Sequence, residues 1–130
     1  MNKITALLIV AFCLCITTTI KAQNTNHSGQ VLRHVVLFKF KDSASAQNIK
    51  KVETAFRALP KKIALIKDFE WGINNSPEKL NDGFTHCFFV SFKSEADRAA
   101  YLPHKAHLAF VEVLKPYLDK VLVIDYWAGR

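Results

Sequence analysis

Residues 33–41 alternate strictly, and this alternation constrains the fold more than any other stretch. His34, Val36, Phe38 and Phe40 fall on one side; Arg33, Val35, Leu37, Lys39 and Lys41 fall on the other. A period of two is a β-strand, and this strand carries apolar residues on both sides. A strand with one apolar face can leave the other in water. A strand with two has to be covered twice.

The period then changes. Asp42 or Ser43 opens a helix with Ile49, Val52, Phe56 and Leu59 on its buried side, and Pro60-Lys61-Lys62 closes it. A second strand is predicted over residues 65–73. Residues 74–83, rich in Asn, Ser, Pro, Asp and Gly, read as a loop. A third strand over 85–92 puts His86, Phe88, Val90 and Phe92 on one face, with Cys87 and Phe89 on the other. Ser94 caps a short helix that Pro103 breaks. A longer helix is predicted from about His104 to Leu118, and residues 121–127 form the last strand. Strand, helix, strand, strand, helix, strand is a ferredoxin-like βαββαβ arrangement of the α+β class. Two helices cover one face of such a sheet. Val35, Leu37, Phe89, Leu122, Ile124 and Tyr126 load the other, so a second copy is expected there, sheet against sheet, in a homodimer.

Residues 1–22 read as a secretory signal peptide: Lys3, an apolar run over 4–20, and small Ala22 for cleavage. A retained anchor is the alternative, weakened by Thr17-Thr18-Thr19. Residues 23–30 are expected to be a flexible linker and 31–130 the domain. The expected location is secreted or periplasmic, with no membrane attachment after cleavage. Cys13 and Cys15 leave with the signal, so Cys87 has no intrachain disulfide partner. Loss of Lys3 and Lys21 takes the formal charge from +7 to +5. Lys50-Lys51 and Lys61-Lys62 read as a solvated helix surface. No basic stripe interleaved with aromatics points to nucleic acid, and no nucleotide, flavin or haem motif calls for a cofactor.

Tyr101-Leu102-Pro103-His104-Lys105-Ala106-His107 places a phenol and two imidazoles before an apolar helix. His107, Val111, Leu114 and Leu118 follow at spacings of four, three and four, so His107 is expected to face inward at the first turn. A polar group there needs a partner or a pocket. His34 and His86 share strand faces with large apolar residues, so His34, His86, Tyr101 and His107 are expected to line one cavity between sheet and helix. Val36, Phe38, Phe56 and Phe88 would form its walls. A helix N-terminus disfavours the imidazolium, leaving His107 able to accept a proton, and Tyr101 could steady an enolate oxygen. The same residues also read as a hydrogen-bonded core that fixes the helix. A zinc site built on His104 and His107 lacks carboxylates beyond Asp125, and no metal is expected. Cys87 faces the expected dimer side and reads as a small hydrophobe.

Four segments carry a family resemblance. Residues 33–42 (RHVVLFKFKD) resemble the opening strand of the stress-responsive dimeric α/β-barrel (Dabb) family, and Gly83-Phe84-Thr85-His86 resembles the start of its third strand. Tyr101 to His107 resembles its helix motif, and Asp125-Tyr126 its terminal strand. The resemblance runs from about Val31 to the C-terminus. It implies a dimer whose two sheets form one barrel. A plant branch, similar to olivetolic acid cyclase, closes linear polyketide thioesters into rings by aldol chemistry, with a His as base and a Tyr assisting. The matching positions are His107 and Tyr101, and that branch's pocket histidines match His34 and His86. Lys105 departs from the pattern, where the family commonly has Pro. The implied function is an exported barrel-domain protein with a small apolar pocket for a carbonyl or phenolic compound. If it is an enzyme, it would be a cofactor-independent lyase or cyclase. The other reading is a non-catalytic dimeric stress or interaction protein.

Overall fold

A computed structural model of the chain describes residues 27–129. The expected signal peptide, 1–22, lies outside the described residues. The elements follow in the order β1 (Leu32–Phe40), α1 (Ala46–Arg57), α2 (Leu59–Lys62), β2 (Asp68–Ile73), β3 (His86–Phe92), α3 (Glu95–Tyr101), α4 (Lys105–Leu114) and β4 (Leu118–Trp127). The strands form one antiparallel sheet in the order β2-β3-β1-β4, the ferredoxin-like arrangement.

Local chemistry sets the element ends. The Ser45 hydroxyl accepts from the Asn48 N–H at 3.2 Å and starts α1; Ser94 does the same for Asp97 at 3.1 Å and starts α3. Pro60 falls in the first turn of α2, where its missing N–H costs no helical bond. Gly83, at φ +80°, turns the chain into β3 under the Lys39 side chain. The turn at 27–30 bonds the Gln30 N–H to the His27 carbonyl at 2.8 Å, and the His27 ring stacks on Trp127 at 4.0 Å.

Several boundaries differ from expectation. The first helix is capped by Ser45 rather than opened at Asp42 or Ser43, it ends at Arg57, and Pro60 opens the short α2 instead of closing α1. The second strand begins at Asp68 rather than 65. The last helix ends at Leu114, and Leu118 belongs to β4. Pro116 has no N–H to continue the helical ladder, and the Tyr117 N–H instead closes a turn on the Leu114 carbonyl at 3.0 Å. The buried side of α4 is therefore Phe110 and Leu114, with His107 and Val111 half-buried beside them.

The core lies between the sheet and the helices. Phe56 of α1 stacks on Phe88 of β3 at 4.3 Å and meets Phe110 of α4 at 4.5 Å; Phe38 of β1 closes the cluster against Phe88 at 5.2 Å. Trp71 stacks on Phe88 at 5.7 Å. Among the described residues, no layer lies over the opposite sheet face. Leu122, Ile124 and Tyr126 are 42–49% exposed there, and Cys87 shares that face through its pairing with Leu37. Val121 and Val123 are also about half exposed, at 49% and 45%, but pair with Phe38 and Val36 and so face the helices. β4 is thus apolar and open on both sides.

Candidate functional site

A hollow of about 220 Å³ lies between β1, β4 and the α3–α4 corner. Its sheet wall is His34, Val36, Phe38, Val121 and Val123; Tyr101, Leu102, His107, Phe110, Val111 and Leu114 face them, and Phe56 and Leu118 complete the lining. Its polar atoms come from three side chains, His34, Tyr101 and His107.

Tyr101 ends α3 and is fully buried. Its hydroxyl has no hydrogen-bond partner among the described residues. Burial pushes the phenol well above the ordinary tyrosine range, so it is a neutral donor. Pro103 then turns the chain, and the His104 ring caps α4 by accepting from the Ala106 N–H at 3.1 Å. This use commits His104 Nδ1 to the helix. His107 follows in the first turn, with its ring 4.4 Å from that of Tyr101, centroid to centroid.

Two effects prepare His107 as a base. Its Nδ1–H donates to the Leu102 carbonyl at 2.8 Å, which leaves Nε2 with the lone pair. Burial depresses its pKa below the ordinary 6.5. The Leu102 bond works in the opposite sense, while charge on His34 and His104 adds to the depression. Neutral imidazole is therefore its resting form near neutral pH.

His34 is buried, and Nδ1 donates to the Asp125 carboxylate at 2.7 Å. Arg98 holds the other carboxylate oxygen at 3.4 Å. The ring is thereby fixed with Nε2 remaining for the hollow, 5.9 Å from the Tyr101 ring between centroids. His34 and Asp125 are direct cross-strand partners of β1 and β4. The alternation that puts both on the helix side of the sheet is the signal in the sequence that links them. Arg98, on α3, carried no such signal.

The structure brings His34, Tyr101 and His107 together with Val36, Phe38 and Phe56. It does not bring His86 or Phe88. Phe88 is wholly inside the aromatic core. His86 stands at the other end of β3, where Nε2 meets Glu53 Oε1 at 3.1 Å and Nδ1 meets the Thr85 hydroxyl at 2.9 Å. Sharing a sheet face does not mean sharing a cavity: His34 and His86 belong to opposite ends of antiparallel neighbours. Glu53 was missed altogether. It lies four residues after Ile49 and three before Phe56, an acid within the buried stripe of α1, and Lys50 pairs with it at 3.1 Å. Among the described residues no cluster of three or more His, Cys, Asp or Glu is grouped to hold a metal ion.

Residues 32–128 match the model of the Stress responsive A/B Barrel Domain. The chain belongs to this family. The A/B barrel domain is 40% identical over 95 residues to the stress-response A/B barrel domain-containing protein HS1 of Arabidopsis thaliana, covering 73% of this chain and 87% of that one. It is 28% identical over 95 residues to olivetolic acid cyclase of Cannabis sativa, covering 73% and 94%. Among solved structures, the A/B barrel domain is similar to the hydroxynitrile lyase of Passiflora edulis, with a TM-score of 0.72, 26% identity and coverage of 77% and 94%. It is also similar to a dimeric ferredoxin-like protein of unknown function from Bacteroides fragilis, with a TM-score of 0.63, 26% identity and coverage of 75% and 96%.

Proposed function

We propose that this A/B barrel domain works as an exported homodimer that binds a small neutral carbonyl or phenolic compound between His34, Tyr101 and His107, and catalyses enolisation or aldol closure there. The observation that carries the reading is the pairing of a neutral base with an unpartnered donor. His107 has its tautomer set by Leu102, and Tyr101 is buried with its hydroxyl unspent. A buried hydroxyl without a partner costs about 1–3 kcal/mol, and a ligand oxygen would repay that cost.

In the proposed step, His107 Nε2 takes the proton alpha to the carbonyl. The C–H electron pair becomes the carbon–carbon double bond, and the carbonyl π electrons move to oxygen. The Tyr101 O–H donates to that oxygen as its charge grows, which is where a preorganised donor helps most. In an aldol closure the enolate carbon then attacks a second carbonyl, and His107 returns its proton to the new alkoxide. Asp125 and Arg98 hold His34 as a fixed contact rather than a base. The relatives named for a cyclase and a hydroxynitrile lyase support carbonyl chemistry as a class. A hollow of about 220 Å³ is smaller than drug-sized pockets, so the ligand is of monocyclic size. The uncovered apolar sheet face and the dimeric relative support the homodimer.

The test is hydrogen–deuterium exchange of the methyl protons of acetophenone in D2O, followed by NMR. The expected result is exchange above buffer that His107→Ala removes and Tyr101→Phe lowers by about 10²-fold, the scale of one lost oxyanion donor. Unchanged exchange in a folded His107→Ala protein sinks the assignment.

A second reading, a non-catalytic stress or interaction protein, draws on His86, since both of its ring nitrogens are taken by protein groups. It would gain if His107→Ala unfolded the protein and no small carbonyl compound shifted the imidazole resonances.

A further inference from the structure

The charge of this domain has one location. Residues 43–67, which span α1 and α2, hold Lys50, Lys51, Arg57, Lys61, Lys62 and Lys67 against a single acid, Glu53. The rest of the chain from residue 27 onward holds ten basic and ten acidic residues. The whole excess of +5 therefore belongs to this helical segment.

The structure makes that excess a surface. All six cations are exposed. Glu53 is buried and bonded to His86 and Lys50, so of the six cations it pairs with Lys50 alone. Lys51, Lys61, Lys62 and Lys67 enter no ion pair among the described residues, while Arg57 lies over the Trp71 ring at 5.3 Å. Beside them a broad open groove of about 800 Å³ runs between α1 and α4. Lys50, Lys51 and Lys62 border it, and Ala55, Ala58 and Val113 supply small apolar residues along it. It shares no lining residue with the hollow around His107.

We propose that the α1–α2 face docks this protein on the surface of a bilayer rich in anionic phospholipids. Clustered lysines on a helical face are attracted to an anionic leaflet. Their aliphatic stems can lie along the interface while the ammonium groups reach phosphates. Nucleic acid fits the face less well. The aromatic side chain of α1, Phe56, is buried in the core, so no ring on this helix is free to stack on a base. The docking is peripheral and needs no membrane span. The lysines read in isolation as a solvated surface take on this role through their uncompensated balance.

The experiment is cosedimentation of the full chain with phosphatidylcholine vesicles, with or without 30% phosphatidylglycerol, at low and high salt. A full chain retaining its apolar N-terminal run would bind both vesicle types through that run, and salt would change this little. The charged face is isolated by the difference. We expect at least tenfold tighter binding to the phosphatidylglycerol vesicles at low salt, lost at high salt. Lys51→Gln/Lys61→Gln/Lys62→Gln should abolish that preference with an unchanged circular dichroism spectrum. The same charge change placed elsewhere, Lys79→Gln/Lys93→Gln/Lys120→Gln, should keep it. Equal binding to both vesicle types, equal loss in the two triple variants, or tighter binding to duplex DNA than to the anionic vesicles overturns the proposal.

Discussion

At the scale of single residues, Tyr101 sets stability against activity. Its hydroxyl lacks a protein partner among the described residues, so Tyr101→Phe removes a buried polar atom without removing ring contacts. The variant should be as stable as the parent or up to about 2 kcal/mol more stable in urea unfolding, while exchange activity falls. A residue kept only for packing would show no such opposition. Acid should destabilise the fold in two steps. The His107 pKa is depressed in the folded state, so as pH falls below 6.5 the unfolded chain takes up the proton first, and stability declines until the folded value is reached. Glu53 acts lower. Burial pushes its carboxyl up, but the bonds from His86 and Lys50 outweigh that and leave it below 4.5. Its contribution is present above 4.5 and is lost as pH falls through the lowered folded value. Stability measured against pH should lose the upper step in His107→Gln and the lower step in Glu53→Gln.

At the scale of elements, periodicity was legible and termination was less so. The alternation of 33–41 and the stripe Ile49, Val52, Phe56 each announced their element and its buried side. The site was legible to the extent that local sequence held it together. Tyr101 and His107 share one corner, so their meeting could be read. The Asp125–Arg98 anchor and the Glu53–His86 pair depend on which strands and helices become neighbours, and no local spacing encodes that. His86 went astray for the same reason, since a face shows where a side chain points but not which end of the sheet it occupies. Gly83 is the element boundary most exposed to mutation. At φ +80°, any side chain is strained, so Gly83→Ala should destabilise the fold by about 1 kcal/mol or more in denaturant titration. The β2–β3 loop should loosen first, seen as faster amide exchange at Thr85, whose N–H bonds to the Phe38 carbonyl at 2.9 Å.

At the scale of the whole molecule, the sheet face left open in the protomer bears on assembly. Leu122, Ile124 and Tyr126 form an apolar row that a second sheet would cover. Ile124→Lys should shift sedimentation at micromolar concentration to the monomer while circular dichroism stays that of the parent. The helix-side core does not involve this residue, so loss of the dimer would be separable from loss of fold.

β4 has a consequence for how such a dimer would respond to its ligand. One face of the strand, Val121 and Val123, walls the hollow, and the alternate residues, Leu122 and Ile124, lie on the open face where a second subunit would sit. No second strand stands between the two, so a compound that shifts the valines shifts the leucine and isoleucine beside them by the same backbone movement. Binding and association are then linked quantities, and linkage is reciprocal. Whatever factor the second subunit adds to ligand affinity, the ligand must add to subunit affinity. Dilution below the dimer dissociation constant would then change ligand affinity by that factor, and a concentration series with and without ligand would measure both factors in one experiment.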